Sequence, residues 1–219
     1  MDGTGTKDGR HPVVQACDRA GALLAELGDP VLWSAADADV TAVIQAAETV
    51  VRRAQALQAT AVAEAQRRDL AARVGATGPT AWLSGLLTAK PHHAKRVCRL
   101  AELLAGGVEP TRHALATGTI DADQADVIAT AVRALPDQVG DELRAKAEGY
   151  LLEQAELHHA GILAGLAAHL LDVVAPRPGR DQARRAARAR GAAGRHSAQH
   201  LLGDPQPPGP ASSARRAGP

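Results

Sequence analysis

The sequence predicts an all-α fold: a multi-helix bundle with one long N-terminal helix and helix-turn-helix-like hairpins, followed by a disordered basic C-terminal tail. Three observations carry this expectation. Apolar residues recur at helical spacing along most of the chain, and no stretch sustains the alternation of a strand. The material for a core is Ala, Leu and Val, since there is no Phe, one Met, one Tyr (Tyr150) and two Trp (Trp33 and Trp82). Ala and Leu are strong helix formers and aromatic residues are strand formers. Finally, Pro and Gly fall at helix-length intervals, as starts and stops.

Residues 1–11 form a polar leader expected to be disordered. Its GTGTK fragment lacks the preceding strand and the spacing of a phosphate-binding loop. From Pro12 to Leu27, the residues Val13, Cys17, Ala20, Leu24 and Leu27 line one helical face, which is expected to be buried, and Gly28-Asp29-Pro30 stops the helix. Ser34 or Asp37 then caps a long helix to about Asp69. Along it Val40, Val43, Ile44, Ala47, Val50, Val51, Ala54, Leu57, Ala61 and Ala65 keep a near-heptad repeat. At 1.5 Å per residue this helix is about 50 Å long, more than a compact domain needs. Two partners suit it: another helix of the same bundle, or a second copy of the chain in a homodimer.

The stretch TGPTAWLSGLLTAKPHHAKRVCRLAELL, from Thr77 to Leu104, reads as two helices around a tight turn. Pro79 opens the first, which runs to Leu87, and Thr88-Ala89-Lys90 breaks it. Pro91 opens the second, which runs to Leu104 before Gly106-Gly107 ends it. Ala94, Val97, Cys98, Ala101 and Leu104 form its buried stripe. His92, Lys95, Arg96 and Arg99 share another face and form one basic stripe with no acid among them, and Lys90 stands at its entrance. A second helix of this kind suits contact with duplex DNA, so Lys90, His92, Lys95, Arg96 and Arg99 are the candidate phosphate contacts. The competing reading is a solvated helix face.

Further on, Pro110 to Thr117 forms a short helix. Asp121 and Gln124 have the form of a capping box, opening a helix with Val127, Ile128, Ala131, Val132 and Leu135 inward. Helices are expected at about Val139 to Leu157 and His159 to Val174, the latter with Ile162, Leu163, Leu166, Leu170 and Val173 inward. Connections of two to six residues make successive helices neighbours.

At 219 residues the chain has room for one domain, here 12–175, plus tails. The net charge of +1 conceals an asymmetry: residues 1–176 carry 16 Lys and Arg against 22 Asp and Glu, and residues 177–219 carry 9 against 2. Of the 45 residues from 175 to 219, Ala, Arg, Pro and Gly make up 33, too little apolar bulk to offset ordering entropy. A short helix over Arg180 to Arg190 is the most this tail should form. Its arginines, among them Arg184, Arg185, Arg188 and Arg190, would add attraction for DNA without specificity.

Reactive groups do not converge. His196 and His200 have a metal-ligand spacing but no accompanying Glu, and they fall in the tail. His92-His93 and His158-His159 are adjacent pairs that diverge by about 100° on a helix. Asp121, Asp123 and Asp126 crowd a helix N-terminus, where the macrodipole favours them. No catalytic residue, metal site, cofactor or small-molecule ligand is expected, and the chain is not expected to be an enzyme. Cys17 and Cys98 read as core thiols in a reducing compartment. With no signal-peptide pattern, and Ala160 to Ala168 as the longest apolar run, a cytoplasmic location and no membrane contact are expected.

The order of AEAQRRD, TAWLSGLLTAKPHHAKRVCRLAELL, TRHALATGTIDADQADVIATAVRALP and LAAHLLDVVAP resembles the domain of unknown function 222 over about Val31 to Pro176. This is the N-terminal part of HNH endonucleases of the 13E12 repeat family. The resemblance implies a helical domain that an HNH nuclease module normally follows, with paired Cys, His-His and an Asn-containing loop around a divalent metal. That pattern is missing after Pro176, and the resemblance therefore implies a truncated or frameshifted member without nuclease activity.

Overall fold

The computed structural model describes residues 9–174, and every regular element among them is helical. The helices are α1 (Pro12–Glu26), α2 (Asp37–Arg67), the single turn α3 (Leu70–Arg73), α4 (Pro79–Leu87), α5 (Pro91–Leu104), α6 (Glu109–Thr117), α7 (Ala122–Arg133), α8 (Asp141–Ala155) and α9 (Ala160–Val174). All-α architecture with one long early helix is as the composition and periodicity predict. The leader up to residue 8, the tail beyond residue 174, the Arg180 to Arg190 helix and His196 and His200 lie outside the described residues.

Helix α5 sits centrally, packed against α2, α4 and α7, while α7 packs in turn on α8 and α9. Small side chains set the spacing: Ala59, Ala94, Ala101, Ala125 and Ala129 are essentially inaccessible, so backbones approach closely. Larger residues fill what remains. Leu115, Ile120, Ile128, Leu151 and Leu163 are fully enclosed in the main cluster, and Leu83 and Cys98 share a second cluster with Val62 and Ala94.

Buried polar groups act as fasteners between helices. Glu148 of α8 accepts from the backbone N–H of Thr111 at 2.9 Å and from its hydroxyl at 2.6 Å, satisfying the start of α6. Gln124 completes the capping box with Asp121 and also donates to the carbonyls of Ala155 and His158 at 2.7 and 2.8 Å, tying α7 to the end of α8. Arg144 reaches the carbonyls of Val132, Leu135, Pro136 and Val139 around the end of α7. At the end of α6, Arg53 donates to Thr117 O, and Arg52 to Gly118 O and Thr119 O. This places two cations of α2 at a helix C-terminus.

Three expectations about burial are corrected. No residue of α1 is buried; Val13, Leu24 and Leu27 face water, and so does Cys17, which is therefore not a core thiol. In α2 the buried residues are Ala56, Ala59, Val62 and Ala65, so of the ten residues in the heptad stripe only Ala65 is enclosed. The body grips the Ala-rich side from about Thr49 onward. The stripe with the larger side chains lies roughly 100° further round the helix. Ile162 and Val173 of α9 also point outward, because Leu163 and Ala167 set its inner line.

Candidate functional site

The α4–α5 hairpin has the predicted boundaries. Thr88 takes a left-handed conformation (φ 51°) that ends α4, and Ser84 Oγ donates to Ala89 O at 2.6 Å across the turn. Lys90 is the extended residue before Pro91, where a chain entering a Pro-initiated helix belongs. Ala94, Cys98 and Ala101 turn inward as expected, and Leu100 and Leu103 join them because α5 has neighbours on several sides. Burial pushes the Cys98 thiol upward, which keeps it protonated and unreactive.

The five candidate residues all lie on the exposed side of the hairpin, but their electrostatics differ. Arg96 pairs with Asp123, and Arg99 pairs with Asp126 at 3.1 Å while donating to Thr130 Oγ1 at 3.0 Å. The two pairs form an interhelical ladder, i and i+3 on α5 against i and i+3 on α7. Desolvation raises the pKa of Asp126, with Arg99 opposing the shift. On the same side Glu102 accepts from Gln66. Counting the formal charges of the face, Lys90, Lys95, Arg96 and Arg99 stand against Glu102, Asp123 and Asp126. Among the described residues Lys90 and Lys95 have no acidic partner, nor has His92, so the unneutralised positive charge of this face sits on the two lysines.

Beside the ladder lies an open cleft of about 610 Å³ between α2, α5, α7 and the start of α9, lined by Gln55, Gln58, His93, Arg96, Arg99, Asp123 and Asp126. Sequence reasoning missed the acidic side of this cleft. It assigned Asp123 and Asp126 to the macrodipole of α7, although only Asp121 is the cap. Matching i, i+3 spacing of Arg96/Arg99 and Asp123/Asp126 was the available signal. Among the described residues no group of His, Cys, Asp or Glu is arranged to hold a metal ion, and no helix is long and apolar enough to cross a membrane.

No curated protein and no solved structure gives a match to the chain. The model of one family, described as "Domain of unknown function (DUF222)", matches residues 41–199. The match runs on past Pro176 and covers well over half of the chain. The chain belongs to the domain of unknown function 222 family.

Proposed function

We propose that this domain is a non-catalytic helical module that assembles with a second copy of itself through the first half of α2. The observation that supports this most directly is the stripe Val40, Val43, Ile44, Ala47, Val50 and Val51. Between Val40 and Val51 the only charged residue is Glu48, which turns away and pairs with Arg52, yet Ile44 is 65% exposed and Val43 and Val50 nearly half. Contiguous apolar surface rimmed by polar residues marks an association site, and a near-heptad repeat favours a helix as the neighbour. A binding role also accords with the polar fasteners, since Glu148, Gln124 and Arg144 are committed to holding helices together. It accords equally with the resemblance to the N-terminal part of HNH endonucleases, where a separate module cleaves. Sedimentation velocity over a roughly hundredfold range of concentration tests it, since association follows mass action. The wild type should pass from monomer to dimer, and Val43→Glu/Val50→Glu should remain monomeric with unchanged helicity. A wild type that stays monomeric throughout refutes the reading.

A second reading is supported by the unpartnered lysines Lys90 and Lys95, with His92 between them. They cluster at the start of the second helix of a tight hairpin, the end that a helix-turn-helix turns toward the major groove. Here Arg96 and Arg99 mainly hold α5 to α7, and Lys90 and Lys95 supply phosphate contacts. Replacing both lysines by Ala should then flatten the salt dependence of duplex binding by about two units of log–log slope. An unchanged slope refutes this reading.

A further inference from the structure

We infer that α1 is the second layer of the assembly interface: in the dimer, the α1 helices and the α2 arms of two copies pack as one intermolecular four-helix bundle. This inference rests on the self-association proposed above. Its first ground is the condition of α1, an amphipathic helix whose apolar side covers nothing. Val13, Cys17, Ala20, Leu24 and Leu27 share one side, while Asp18, Arg19 and Glu26 lie on the opposite one.

Dimensions supply the second ground. Helix α1 has 15 residues and is therefore about 22 Å long, matching the stretch from Asp37 to Val51 of α2. The apolar sector of that stretch, from Val50 round to Ile44, spans about 120°, wider than the seam one neighbouring helix fills. Two neighbours are called for, and a bundle of two arms and two α1 helices provides them.

Area is the third. Thirteen of the twenty-one exposed large apolar side chains among the described residues lie between Val13 and Leu57. Seven of them, Val13, Leu24, Leu27, Val43, Ile44, Val50 and Val51, lie on the two stripes and offer on the order of 300 Å² of apolar surface per chain, the apolar centre of a standard interface of about 800 Å² per partner. Neither apolar stripe contains a charge, so no buried ion opposes the contact.

Cys17 on the apolar side of α1 is a built-in reporter, and buried Cys98 is an internal control. The experiment measures the iodoacetamide alkylation rate of each thiol by mass spectrometry in the full chain, over the same concentration series as sedimentation. If the inference holds, Cys17 reacts like a free thiol in dilute monomer and at least tenfold more slowly in dimer, and Leu24→Glu restores fast alkylation and weakens the dimer. A dimer in which Cys17 stays fully reactive and Leu24→Glu changes nothing overturns the role of α1 and leaves association through α2 standing. Protection of Cys17 in dilute monomer also overturns it, by placing α1 against its own chain. A chain that never dimerises removes both this inference and the reading beneath it. Because α1 contributes nothing to the buried core, Leu24→Glu leaves the body folded, which circular dichroism verifies.

Discussion

Glu148 and Thr111 meet in the interior through one carboxylate oxygen, which takes both the backbone N–H and the hydroxyl of the threonine. Both residues are buried, so each bond is made out of reach of water. Glu148→Ala leaves the start of α6 unsatisfied and should cost about 3 kcal/mol. Thr111→Val removes only the hydroxyl bond and should cost about 1 kcal/mol. Urea denaturation of the two single variants and the double variant checks this, with a double-variant loss smaller than the sum of the singles.

Arg144 serves the end of α7 as a group of donors that no lysine can imitate. Its guanidinium reaches four carbonyls at 2.7–3.1 Å. Arg144→Lys keeps the charge but loses the fork geometry, and should cost about 2 kcal/mol, most of the loss seen for Arg144→Ala. Thermal unfolding of both variants measures the comparison.

Gly118 and Gly107 both have positive φ, 83° and 87°, but their surroundings differ. A Cβ at Gly118 would lie 2.9 Å from Thr49 Cγ2 and 3.3 Å from Thr49 O, whereas at Gly107 it would meet open space. Gly107→Ala should cost about 1 kcal/mol, through backbone strain alone. Gly118→Ala should cost about twice that, and Thr49→Ser, which removes the obstructing methyl, should recover part of it.

Asp126 gives the fold a pH dependence of unusual sign for a carboxylate. Burial lifts its pKa above the ordinary 3.8 despite Arg99. A carboxyl with a raised folded pKa is more easily ionised in the unfolded chain. The resulting penalty is absent below 3.8 and grows as pH rises through the raised value. Urea midpoints of the wild type, measured relative to Asp126→Asn, should therefore fall between strongly acidic and neutral pH. Glu64 shifts in the opposite direction, lowered to about 2 by hydrogen bonds from Arg67 and Arg68. Its contribution is present above the ordinary 4.5 and is lost as pH falls toward 2, and solvent screening at the surface keeps it small.

Local chemistry made the helices legible. Pro79 and Pro91 at helix starts, the Asp121–Gln124 capping box and the glycines after α5 and α6 each act within one turn of chain, so the sequence alone reveals them. The Ala94–Cys98–Ala101 line was legible for the same reason, because periodicity identifies an inward side when one dominates. In α2 two sides compete. Ala56 and Ala59 carry little hydropathy but allow close approach, and the body took them, while the bulkier stripe of Val43 and Val50 was left outside. Amphipathicity says that a stripe wants a cover and is silent about whose. The pairing of Arg96 and Arg99 with Asp123 and Asp126 depends on how α5 and α7 align in space, which neither helix encodes by itself.

The grip of Arg52 and Arg53 on the end of α6 fixes where α2 leaves the body, so the 12 residues from Asp37 to Glu48 stand clear of it over about 18 Å. Such an overhang works as a spacer. In the proposed dimer, two copies joined along these rods would hold their globular parts apart and would leave the hairpin bearing Lys90 and Lys95 uncovered on each.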